Sequence, residues 1–177
     1  KVNVAIEFSR PESAIANYKK CFSAGIPVVS GTTGWLEKLP EIVESCENNK
    51  AGFFYASNFS LGVNLFFQLN RNLAQLMNNL PEYSVRMNEI HHTRKLDAPS
   101  GTAITLAEGL IAELTAKSTW VNDKIATEHE ILINSFREGD VPGTHEVIFD
   151  SEIDTLSIKH EAKSRKGFAL GAVIAAE

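Results

Sequence analysis

Cysteine is scarce in this 177-residue chain. Cys21 and Cys46 stand far apart and form no C-x-x-C, so two buried or idle thiols are expected. A tetrahedral zinc site from the histidines and either cysteine has no supporting spacing, and no metal is expected. No stretch approaches the roughly 18 apolar residues of a membrane span, and the start lacks a charged-then-apolar signal pattern. A membrane partner is therefore not expected, and the cytoplasm is the default location. Basic charge is in deficit too, with 17 bases against 22 acids and a net charge of −5. That argues against a nucleic-acid partner, which needs a basic face. It leaves room for an anionic small molecule, because a local basic cluster can be positive inside an acidic protein. There is no G-x-S-x-G around Ser100, which disfavours a serine hydrolase. There is also no G-x-G-x-x-G or G-x-x-G-x-x-G, the turn that would cradle a dinucleotide pyrophosphate. What remains is an ordinary globular composition, 44% hydrophobic and 22% charged.

The first third of the chain reads as βαβαβ. Residues 2–8 form an apolar strand pattern, and Pro11 suits the first turn of a helix. Ala14, Ile15, Tyr18 and Phe22 then recur at helical spacing as far as Gly25. Residues 26–29 and 52–56 read as strands around a second helix marked by Leu36, Leu39, Ile42, Val43 and Cys46. Alternating strands and helices imply a parallel sheet. Ligands of such sheets bind beyond the C-terminal strand ends, which here means residues 7–9, 31–33 and 57–59. The character then changes. Residues 61–77 are an apolar-rich helix, 83–92 a strand, 100–119 a helix, and 130–136, 146–149 and 155–160 are strand candidates. This second part reads as α+β, with a mixed or antiparallel sheet covered by helices on one face. The other face is then expected to be buried by self-association. Residues 167–176 read as a final helix.

Residues 89–103, EIHHTRKLDAPSGTA, hold the densest chemistry. His91 and His92 can move a proton near neutral pH. Lys95 supplies a point charge for an anion. Ser100, Gly101 and Thr102 open a helical pattern, where backbone N–H groups form a second anion site. Ser100 also suits an N-cap, which is compatible with that role. Adjacent residues on a strand face opposite ways, so on pattern alone one of the two histidines would merely pack. Asp97 and Ala98 are expected to shape the loop before Pro99. His129, His145 and His160 are scattered and expected to be structural.

This segment closely resembles the signature of the 4-hydroxy-tetrahydrodipicolinate reductase (dihydrodipicolinate reductase) family: an acidic residue near His-His, then a Lys, then DAPSGTA. Residues 7–12, 31–35, 56–64 and 164–172 resemble further family segments in the same order. The resemblance implies an NADH- or NADPH-dependent reduction of a cyclic unsaturated dicarboxylate in diaminopimelate and lysine synthesis. It implies His91 as acid/base, Lys95 as proton donor, and His92, Ser100, Gly101 and Thr102 as the substrate-binding set. Gly31, Thr32 and Thr33 would lie along the cofactor, and Ala56, Ser57, Asn58 and Phe59 against its nicotinamide end. Residues 1–60 would be the C-terminal half of a Rossmann-type dinucleotide-binding domain whose glycine-rich half is absent. Residues 61–164 would be the substrate-binding and tetramerisation domain, and 165–177 a helix returning to the first. A hinge is expected at residues 57–62, with Arg165 and Phe168 as candidates to close over the cleft and a plain packed Phe168 as the equal alternative.

On this reading the chain is a fragment of a longer homotetrameric enzyme, and alone it would be inactive. Two alternatives stay open. Another two-domain amino-acid-pathway dehydrogenase would need a catalytic Cys or a Lys on a helix. A non-catalytic dicarboxylate-binding or oligomerisation fragment would bind the diacid without the cofactor. NADH and NADPH are not distinguished, because the acidic or basic residue that selects between them follows a strand this chain lacks.

Overall fold

The structure is a computed structural model and describes residues 2–177. The chain divides into two compact units, one running to Leu61 and including Lys166–Glu177, the other Gly62–Arg165.

In the first unit, strands β1 (Ala5–Glu7), β2 (Val28–Ser30) and β3 (Phe53–Tyr55) form a parallel sheet in the order β1-β2-β3. Helices α1 (Pro11–Ser23) and α2 (Leu39–Asn48) connect them, and a single 3-10 turn, Leu36–Lys38, precedes α2. The strands are shorter than the apolar runs imply. Pro27 has no N–H to give to a ladder, and the chain leaves the sheet after Ser30, so only three residues of β2 pair with each neighbour. Alternation explains why β2 is buried throughout. Val28 joins Ala14, Tyr18, Phe22, Trp35 and Ile42 under α1 and α2, while Val29 packs with Phe59 and Ala172 on the opposite face. Ala172 belongs to α5 (Lys166–Ala176). Leu36 and Val43, expected on the apolar face of the second helix, are exposed. Leu36 falls in the 3-10 turn and so outside the 3.6-residue period.

The second unit is a five-stranded sheet in the order β5-β6-β4-β7-β8, made of β4 (Ser84–His91), β5 (Thr119–Asn122), β6 (Glu130–Arg137), β7 (Thr144–Asp150) and β8 (Thr155–Glu161). The sheet is mixed: β5, β6 and β4 are parallel, and β7 and β8 run antiparallel. Helices α3 (Leu61–Met77) and α4 (Gly101–Ile111) supply Phe66, Ala74, Met77, Leu106 and Leu110 to a core with Val85, Met87, Ile131, Ile133, Val147 and Phe149. Each large side chain so buried contributes about 2 kcal/mol. The apolar spacing predicted α4 as far as Thr119, but the helix ends at Ile111. Leu114 is still buried, which is why the pattern runs on. Thr119–Asn122 instead leaves to pair with Glu130–Ile133 as β5, a non-local contact that local spacing does not contain.

Candidate functional site

Strand alternation builds the centre of the second unit. On β4, Val85, Met87, Glu89 and His91 share the inward face. The first two complete the apolar core, so the last two carry polar groups beyond its end. Register supplies the neighbours: Glu89 lies across from Ser135 on β6 and from His145 on β7, and His91 across from Arg137. The resulting cluster is buried, with Glu89 fully so, His91 at 7% exposure and His145 at 4%.

An unpaired carboxylate could not persist there. Arg137 Nη2 donates to Glu89 Oε1 at 3.0 Å, the Ser100 amide donates to Oε2 at 3.1 Å, and His91 Nδ1 lies 3.3 Å from Oε2. Burial by itself would raise the Glu89 pKa, but these polar partners outweigh it and hold the carboxyl far below the usual range. Ser100 Oγ caps α4 by accepting the Ala103 amide and meets His145 Nε2 at 3.1 Å. Gly143 passes so close that a Cβ there would stand 3.1 Å from His91 Nε2. Glu89, His91 and His145 place donor atoms within 4.8 Å of one another, a spacing that a metal could use. The Glu89 charge is already matched by Arg137, however, and a proton-handling network fits the donor set better.

The loop after His91 is cationic. Lys95 pairs both carboxylate oxygens of Asp97 at 2.7 Å, which lowers the Asp97 pKa against the opposing effect of burial. Arg94 pairs with Asp140 at 2.8 Å. Arg165 Nη2 donates to His92 Nε2 at 2.9 Å, so His92 is held neutral with its other nitrogen protonated. Desolvation first, and then Arg165 and its cationic neighbours, keep the His92 pKa low. Arg165, expected to close over the cleft, engages His92 within this unit. The set expected to bind substrate divides. The Ser100 groups are committed inward, whereas Gly101 is exposed, with open space where a Cβ would be. Sequence spacing missed His145, Arg137 and the depth of Glu89, because only strand register brings them to His91.

Burial pushes the His145 pKa down to about 3 from an ordinary 6.5. Between those values the unfolded chain binds the extra proton, so stability is fully present above about pH 6.5 and is lost as pH falls toward 3. The loss is on the order of 5 kcal/mol. His92 and His160, also held low, act in the same direction. Urea midpoints between pH 6.5 and 5, above the range where unfolded carboxylates titrate, should fall with pH, and His145→Asn should reduce that slope.

In the first unit the strand-end loops converge. Glu7 Oε2 accepts from Thr32 Oγ1 at 2.7 Å and from Ser30 Oγ at 3.1 Å, and Thr32 Oγ1 accepts the Ser9 amide at 2.8 Å. The Phe8 ring lies over Gly31 and contacts Phe59 at a centroid distance of 5.6 Å. Of the residues expected along the cofactor, Gly31, Thr32 and Phe59 are therefore tied together through Phe8, Ser9 and Glu7. Thr33 and Ser57 are exposed beside them, and Ala56 and Asn58 are half-buried. These residues stand at the C-terminal ends of a parallel sheet, where ligands of such folds bind.

The family model described as dihydrodipicolinate reductase, N-terminus, matches residues 1–59, and the one described as dihydrodipicolinate reductase, C-terminus, matches residues 62–177. The 4-hydroxy-tetrahydrodipicolinate reductase of Christiangramia forsetii is 54% identical over all of this chain and 74% of its own length. That of Methanococcoides burtonii is 36% identical over 99% of this chain and 67% of its own. Among solved structures, a dipicolinate-bound dihydrodipicolinate reductase from a Paenisporosarcina species has a TM-score of 0.76 and 26% identity, covering 98% of this chain and 67% of that one.

Proposed function

The chain belongs to the dihydrodipicolinate reductase family, and from that premise we propose that its second unit binds the dicarboxylate substrate and moves the proton in 4-hydroxy-tetrahydrodipicolinate reduction. The reaction yields tetrahydrodipicolinate, in diaminopimelate and lysine synthesis. The reductant, NADH or NADPH, supplies the hydride when bound. The observation that carries the reading is the adjacency of a buried, carboxylate-backed histidine, His91, to the capped start of α4.

Each residue then has a task. The N-terminal turn of α4 at Gly101 and Thr102, with Ser100 as its anchor, receives one substrate carboxylate through backbone N–H groups and the helix dipole. Lys95 shares that charge, exchanging its Asp97 partner for the substrate, and donates a proton. His92, poised by Arg165, binds the substrate as a neutral imidazole. His91 exchanges the proton that accompanies hydride arrival and loss of water. Gly31, Thr32, Thr33 and residues 56–59 face the dinucleotide in the first unit. Fixed donors at the carboxylates polarise the ring.

Self-association into a homotetramer would use the outer face of the five-stranded sheet. Ile90, Leu132 and half-exposed Phe136 lie there beside the hydrogen-bonded pair Asn88 and Asn134. No helix among the described residues is long and apolar enough to cross a membrane, and the cytoplasm is the compartment we propose. Full-length protein given freshly formed substrate should consume NADH or NADPH, and pyridine-2,6-dicarboxylate should inhibit competitively. No consumption of either nucleotide would refute the proposal.

A further inference from the structure

We infer that Glu89 is a positioning residue for the acid/base step: it dictates which nitrogen of His91 handles the proton, and it ties that ring to the first turn of α4. The inference rests on the reductase reading and deepens it. Glu89 has no exposure and touches no open space, so it acts only through the groups it holds. Those groups are His91 on its own strand, Arg137 on β6, His145 on β7 and the Ser100 amide at the start of α4.

An ionised carboxylate can only accept hydrogen bonds. With Arg137 on Oε1 and the Ser100 amide on Oε2, the edge of His91 facing Glu89 has to present a proton. That edge is Nδ1, at 3.3 Å. The contact falls short of a formed hydrogen bond, and such catalytic contacts commonly tighten when ligand binds. With the proton on Nδ1, the lone pair lies on Nε2, the nitrogen beside Gly143. Glycine at 143 keeps a side chain away from that atom. The same carboxylate stabilises the imidazolium that forms when Nε2 takes a proton. Because Oε2 also holds the Ser100 amide, displacement of the α4 turn is felt at His91. His145 closes the remaining side at a ring distance of 5.0 Å, and being neutral it adds no competing charge.

Glu89→Gln keeps the shape but removes the charge and offers a donor where only an acceptor stood. In the full-length protein we expect turnover to fall roughly 10- to 100-fold, with the Michaelis constant for the dicarboxylate changed by less than about threefold. In a His91→Gln background the same substitution should cost almost nothing further, because it acts through the histidine. Nitrogen NMR of the His91 ring should show Nδ1–H in the wild type and a shift toward Nε2–H in Glu89→Gln. An equal loss in both backgrounds, or an unchanged tautomer, would overturn the positioning role. If Glu89→Gln does not fold, the wild-type spectrum decides, since an Nε2–H ring there overturns the inference. The spectrum needs no turnover. An inactive wild type with the Nδ1–H tautomer would therefore sink the reductase reading and leave the positioning role standing.

Discussion

Replacing His91 with Gln should reduce turnover of the full-length protein by about 100-fold or more, while pyridine-2,6-dicarboxylate binding stays near that of the wild type. The split follows from where His91 sits. It is the last residue of β4, on the inward face, 7% exposed and backed by Glu89. The groups proposed to hold the anion, Gly101, Thr102 and Lys95, belong to the following loop and helix. Glutamine fills much the same volume and keeps a polar contact to Glu89, so the strand and its register should survive, but it cannot exchange a proton near neutral pH. Steady-state kinetics with a parallel dicarboxylate titration check this. Near-native turnover would remove His91 from the acid/base role.

A second large effect is expected at Gly171 in α5. A Cβ there would stand 1.7 Å from the Phe59 carbonyl oxygen, which is backbone and cannot swing aside. Gly171→Ala should therefore push α5 off the face it shares with Val29 and Phe59, at about 3 kcal/mol. The lost packing lies against the residues proposed to face the nicotinamide. Nucleotide affinity should drop sharply, while dicarboxylate binding by the second unit should change less than twofold. Calorimetry of both ligands, with a thermal unfolding scan, separates the outcomes. An unchanged scan would mean that α5 does not pack as described.

Much of this was legible in the residues because it is local. Val63, Phe66, Ala74 and Met77 are spaced for one helical face, and α3 runs from Leu61 to Met77 as that spacing predicts. The Ser-Gly-Thr turn marked a helix start, and Ser100 caps α4. The dense motif at 89–103 likewise put His91 and Lys95 in view together. What stayed hidden was non-local. The end of α4 was misjudged because Leu114 continues the apolar period after the backbone has left the helix. β5 was missed because its partner strand decides it. Glu89 read only as an acidic neighbour of the histidines, and His145 as a scattered structural residue. Their proximity depends on the antiparallel register of β4 with β7, in which Glu89 faces His145 directly, and no spacing along the chain encodes that pairing.

The most direct test of the account is a crystal structure of the full-length protein with pyridine-2,6-dicarboxylate. One carboxylate should accept hydrogen bonds from the N-terminal turn of α4 at Gly101 and Thr102, with Lys95 turned from Asp97 toward it and the ligand ring within reach of His91 Nε2. A dicarboxylate bound away from α4, with the Lys95–Asp97 pair intact, would contradict it.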